Sequence, residues 1–212
     1  MRVLAAGARR TGLPAPRAGA GGDSKTADGS AMASNAERTQ DMYEEYGFAA
    51  AGVKEVDAAT LDLWMKDAPA GSLAVVDVRL PAEREVSMIP GAVAKEEFES
   101  GAAGAEATKV VAYCTIGKRS GDYVKSLAKS RPELECYNLK GSVLAWTHAG
   151  LPLVTGDGSD APTRKVHCFG DKWNIPGAGY EGIVFEKTPW GKLIKDKASA
   201  MLPKWMRGGG GK

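Results

Sequence analysis

The chain has 212 residues, 43% of them hydrophobic and 25% charged, with a formal net charge of +2. That length holds one domain of ordinary size plus extensions, and a charge so near balance gives no global argument for nucleic-acid binding. No apolar run approaches the roughly 20 residues of a membrane span. The three cysteines, Cys114, Cys136 and Cys168, are too few and too scattered for a disulfide framework or a zinc ribbon, so the expectation is a reducing compartment with no metal and no cofactor.

Residues 1 to about 40 do not read as core. Arg2, Arg9, Arg10 and Arg17 fall in a stretch to Gly22 rich in alanine and glycine and without an acidic residue, followed by a Gly/Ser/Asp-rich run to Asn35. This composition suits an organelle transit segment, with the chloroplast preferred over the mitochondrion, and it lacks the apolar stretch of a secretory signal. A disordered tail, or an upstream extension before a start at Met32, is the plain alternative.

The folded domain is expected over 41–155. Val53–Val56 reads as a short edge strand, and Asp57 as the cap of a helix that buries Ala58, Leu61, Trp64 and Met65. Ser72–Val78 is the next strand, delivering Asp77 and Arg79 to its C-terminal end, where a charge pair between them is expected. A brief strand over Ala92–Ala94 precedes a helical turn through Glu96–Glu99 and a loop over 101–107. Val110–Tyr113 is an apolar, β-rich run entering a tight loop at Cys114, and the helix after Gly117 places Tyr123, Val124, Leu127 and Ala128 on one face. Glu135–Leu139 is a further strand and Gly141–His148 a last helix, in which Trp146, like Tyr137 before it, reads as core. Strands alternating with helices imply a parallel sheet covered on both faces, with sites at the carboxyl ends of the strands.

Cys114 stands at such an end, facing the open N-terminus of the next helix. Unpaired N–H groups and the helix dipole there favour the thiolate. Lys118 and Arg119 add positive charge, so the loop suits a sulfur nucleophile acting on an anionic substrate. Ser120 either donates its hydroxyl to the site or caps the helix. An ordinary buried cysteine is the bland alternative.

The stretch Tyr113-Cys-Thr-Ile-Gly-Lys-Arg-Ser120 resembles the active-site loop of rhodanese-like sulfurtransferases, often written Cys-x-x-Gly-x-Arg. Upstream, Asp77-Val-Arg79, Glu83 and Ile89-Pro-Gly-Ala92 are similar to a second motif of that family, and Tyr137-Asn-Leu-Lys-Gly141 through Trp146 to Pro152 to its closing motif. Ser87-Met88 stands where many members have Gly-His. The resemblance implies a rhodanese-like α/β fold with a five-stranded parallel sheet and helices on both faces, followed by an irregular extension. It implies Cys114 as the persulfide carrier, with the main-chain N–H groups of Thr115, Ile116, Gly117, Lys118, Arg119 and Ser120 curled round the bound sulfur. Asp77, Arg79 and Glu83 are expected to support that edge structurally. The substrates implied are a small anionic sulfur donor such as thiosulfate and a thiol or cyanide acceptor. Cysteine phosphatases of similar fold need Cys-x5-Arg, and here that position is Ser120, so the short loop fits sulfur better than phosphate.

Residues 156–212 form a C-terminal extension. Thr163 to Phe185, with Cys168, Trp173 and Tyr180, resembles an extension found in a bacterial and algal subset of such proteins, and Cys168 is read as an inert buried thiol rather than a resolving one. Trp190, Leu193, Ile194, Ala198, Met201 and Leu202 recur at helical spacing, and the charged residues from Lys187 onward are basic except Asp196. Over 187–207 this basic amphipathic segment could meet a partner protein, a membrane surface or the domain itself. A non-enzymatic adaptor attached through both extensions is the alternative function.

Overall fold

The computed structural model describes residues 33–185. Its centre is a five-stranded sheet of β1 (Glu55–Val56), β2 (Leu73–Asp77), β3 (Val93–Ala94), β4 (Lys109–Tyr113) and β5 (Glu135–Leu139), in the order β1-β5-β4-β2-β3. Every neighbouring pair is parallel, as the alternation of strands and helices implies. The central strand, β4, sets Tyr113 opposite Asp77 and Ala112 opposite Asn138. Three strand ends therefore meet at the edge where Cys114 leaves the sheet.

The strands show why both faces are covered. Because successive side chains alternate, Val110 and Ala112 enter one buried cluster with Ala74 and Val76, while Val111 and Tyr113 enter another with Val75 and Leu139. Helices α4 (Lys95–Ser100) and α5 (Lys118–Ser130) cover the first face through Phe98, Val124 and Leu127. Helices α2 (Ala58–Asp67) and α6 (Ser142–His148) cover the second through Leu61, Val143, Leu144 and Trp146. Asp57 caps α2 as expected, accepting the Thr60 N–H at 2.8 Å. The short α3 (Pro81–Val86) follows β2 at the Cys114 edge.

Two boundaries differ from the sequence reading. Helix α1 (Asn35–Glu44) crosses the expected start at 41, held by a capping box between Ser34 and Glu37. Its exposed face is polar, which hides it in composition, yet Thr39 and Tyr43 are buried. Beyond 155, β6 (Leu153–Val154) pairs with β7 (Pro162–Thr163), and β8 (Lys165–His167) with β9 (Glu181–Ile183). Val166, Cys168 and Ile175 complete the second buried cluster, so 156–185 is wall rather than appendage. The expected transit segment falls mainly on residues 1–32, and the basic amphipathic segment over 187–207; both lie outside the described residues.

On α5 the buried side is Ser120, Gly121, Val124 and Leu127, whereas Ala128 is exposed. On that side Phe48 packs directly on Gly121, where an added Cβ would lie 2.4 Å from the ring. Gly121→Ala should therefore lose about 1–2 kcal/mol through overpacking, instead of gaining the ~1 kcal/mol of helix propensity that alanine brings to an open helix. A shift of the urea midpoint at unchanged slope measures it; stabilisation would mean that Phe48 does not hold α5.

Candidate active site

Cys114 is 1% exposed. The loop from Cys114 to Gly117 turns between β4 and α5, with Gly117 at φ +109, a conformation that L side chains rarely adopt. The turn brings the Gly117 N–H to 3.2 Å from Cys114 Sγ and the Ser120 hydroxyl to 3.6 Å. Behind it, α6 anchors the loop: Val143 and Leu144 donate main-chain N–H groups to the carbonyls of Cys114 and Thr115, and Ser142 Oγ accepts the Cys114 N–H at 3.1 Å.

Burial by itself pushes the Cys114 thiol pKa up. It is outweighed by the Arg119 guanidinium and the main-chain N–H groups of Ser120 and Gly117, and the net direction is down. The other thiols lack this compensation. Burial leaves Cys136 raised and pushes Cys168 up to about 11.

The loop residues named from sequence come together in unequal ways. Thr115, Gly117 and Ser120 surround the sulfur or the loop itself, whereas the Ile116 side chain enters the hydrophobic core with Val166 and Cys168. Arg119 clamps Glu83 through both guanidinium nitrogens, at 2.7 and 2.8 Å, so it is already paired while it faces Cys114. Lys118 is exposed and pairs with Asp122 one turn along α5.

Asp77 and Arg79 form the expected charge pair, wholly buried, with the Arg79 Nη2 2.6 Å from Asp77 Oδ2 and donating also to the Ser87 carbonyl. Glu83 is the residue that joins the edge to the loop. Besides Arg119 it accepts the Leu80 N–H at 2.9 Å, and His167 Nδ1 of the extension lies 3.1 Å away. Phe169, next but one, sets its ring over the Arg119 guanidinium at 5.4 Å.

Sequence reasoning missed three residues behind the sulfur. Asn138 Oδ1 accepts the Ser120 hydroxyl at 2.7 Å, and its amide donates to the Gly117 carbonyl and to Tyr43 OH. Ser142 lies within 3.4 Å of Ser120 Oγ. A polar amide inside a buried strand was the available signal for Asn138; Tyr43 carried none, being outside every motif.

Fold and site together define a parallel α/β domain with an activated cysteine at a strand-to-helix turn. The rhodanese-like domain family matches residues 57–149. A sulfurtransferase from Allochromatium vinosum is 32% identical over 112 residues, which cover 50% of this chain and 99% of that protein. The chain belongs to the rhodanese-like family. Among solved structures, a thiosulfate sulfurtransferase from Pseudomonas aeruginosa aligns with a TM-score of 0.47 at 18% identity, over 58% of this chain and 24% of that one. A rhodanese-related protein from Thermoplasma volcanium aligns with a TM-score of 0.38 at 25% identity, over 48% and 97%.

Glu83 makes a pH prediction. Burial opposes its charge, but the bonds from Arg119 and its other donors hold its carboxyl below the ordinary range. A folded-state pKa below the unfolded value of about 4.3 contributes stability that is present above that value and drains away as pH falls towards the folded pKa. Wild type should lose stability more steeply than Glu83→Gln below about pH 4.5. At pH 7 the variant should be less stable by about 2 kcal/mol, less than for a wholly buried pair because the Arg119 side chain is 33% exposed. Denaturation curves at several pH values compare the two slopes; parallel slopes would remove Glu83 from acid lability.

Proposed function

We propose that the protein moves sulfane sulfur from an anionic donor such as thiosulfate to a thiol or cyanide acceptor through a persulfide on Cys114. The observation that carries this reading is a buried sulfur receiving the Gly117 N–H at 3.2 Å, with the Ser120 N–H and Arg119 also favouring its anion. In the first half-reaction the Cys114 thiolate attacks the outer sulfur of thiosulfate. A new S–S bond forms, the donor's S–S bond breaks, and sulfite leaves with the electron pair. In the second, an acceptor thiolate or cyanide attacks the terminal sulfur and the Cys114 thiolate departs. No external oxidant or reductant enters the balance.

The main-chain N–H groups of the loop serve both steps. They stabilise a sulfur anion without proton transfer and are already oriented by the turn, so little reorganisation is needed as charge moves between sulfurs. Arg119 supplies the near cation. Because Glu83 clamps it from the far side, its contribution is directional more than a net attraction for the donor. Lys118 is left as a solvent-side charge that can raise the encounter rate with an anion in low salt.

Intact-protein mass spectrometry after incubation with thiosulfate should show a one-sulfur gain in wild type, discharged by a thiol acceptor and absent from Cys114→Ala. No gain with thiosulfate or with other sulfane donors would overturn the reading.

A further inference from the structure

We propose that Tyr43, on helix α1, is a positioning residue for the Cys114 nucleophile and acts through Asn138. The inference rests on reading Cys114 as the sulfur carrier. Tyr43 precedes residue 57, where the match to the family begins, so the role falls to a part of the chain outside the matched domain.

The direction of the hydrogen bonds fixes the geometry. The Glu55 carboxylate can only accept, and the Tyr43 hydroxyl donates to its Oε1 at 2.5 Å. The same hydroxyl is then an acceptor towards Asn138, whose Nδ2 lies 2.9 Å away. Nδ2 also donates to the Gly117 carbonyl at 3.0 Å, so both amide hydrogens are engaged. Oδ1 is thereby turned to Ser120, accepting its hydroxyl at 2.7 Å. A flipped amide would set its oxygen against the Gly117 carbonyl and leave Tyr43 without a donor. Burial first, and then Glu55, keep the Tyr43 hydroxyl protonated, so it remains a donor to Glu55.

Tyr43 also touches the loop directly. A Cβ on Gly117 would lie 2.4 Å from the Tyr43 ring, so the ring rests where no side chain fits. Gly117 is thus held from two sides by one tyrosine, by the ring and, through Asn138, at its carbonyl. Gly117 and Ser120, the two residues this arrangement steadies, are the ones whose N–H groups favour the Cys114 anion. Loosening them weakens the thiolate's solvation while leaving the sulfur in place.

The test is Tyr43→Phe, which keeps the ring and removes the hydroxyl. The pH dependence of iodoacetamide alkylation, followed at each cysteine by peptide mass spectrometry, reads the thiol directly and needs no sulfur transfer. The Cys114 midpoint should rise enough to cut its thiolate fraction at neutral pH about fivefold, and single-turnover sulfur loading from thiosulfate should slow by a similar factor at unchanged half-saturation. Cys136 and Cys168, both buried, are internal controls and should react as in wild type. Glu55→Ala, at the half-buried outer end of the chain and safest for folding, should move the Cys114 midpoint the same way by about twofold in thiolate fraction. An unchanged Cys114 midpoint in both variants, or faster alkylation of all three cysteines together, would reduce Tyr43 to a packing residue and overturn the proposal. A shifted midpoint in a protein that loads no sulfur would uphold the positioning and reject only the sulfur-carrier reading.

Discussion

A buried cysteine favours its thiolate only where protein dipoles and charges replace the lost hydration, and the surroundings of Cys114 supply them. All three cysteines are buried. At Cys136 and Cys168 burial has its ordinary effect and disfavours the anion; at Cys114 the loop's N–H groups and Arg119 reverse the sign. The difference is positional. Cys136 lies within β5, where neighbouring N–H groups are engaged in the ladder, whereas Cys114 at the end of β4 meets the unengaged first turn of α5. Arg119 lies one residue into that helix and is aimed by Glu83, which also closes the first turn of α3 by accepting the Leu80 N–H. Two helix starts are therefore fastened to one carboxylate.

The unit that performs this task is wider than the matched region over residues 57–149. On one side α1 brings Tyr43 against Gly117; on the other the extension brings His167 to Glu83 and Phe169 over Arg119. Both segments also have packing reasons to be there. Val166 is fully buried in the cluster that contains Ile116, so removing the extension would expose apolar surface directly beneath the loop. Burying that surface stabilises the fold in proportion to its area.

The strands, their alternation with helices and the cysteine turn were legible because each has a short-range signature: apolar runs of strand length, Asp57 before α2, and glycine where φ is positive. The Asp77–Arg79 pair was legible from spacing alone. What sequence could not give were contacts across long separations between residues of unremarkable type. Tyr43 and Asn138 meet over 95 positions, and nothing in the polar composition of 35–44 marks a tyrosine bound for the site. On α5 helical spacing nominates Ala128, which is exposed, while Gly121, too small to register as apolar, sits inside against Phe48. Within the turn the Ile116 side chain points back into the core, which leaves only its main chain to the loop.

The two cations beside the cysteine show why charge counting misjudges such a site. Lys118 and Arg119 are adjacent in sequence, yet α5 projects them in different directions. Lys118 reaches Asp122 in solvent, where an ion pair is worth little, and Arg119 reaches Glu83, 4% exposed. Arg119 is therefore paired with Glu83 while its charge also favours the anionic form of Cys114. A cation already satisfied by a carboxylate adds little to long-range attraction, but its position is rigid, and at short range rigidity counts for more than net charge because no reorganisation is needed when the sulfur becomes negative. How far the loop favours a sulfur anion then depends on how many N–H groups can face it at once, which is a property of backbone geometry, and hence of Gly117 and whatever holds Gly117 still.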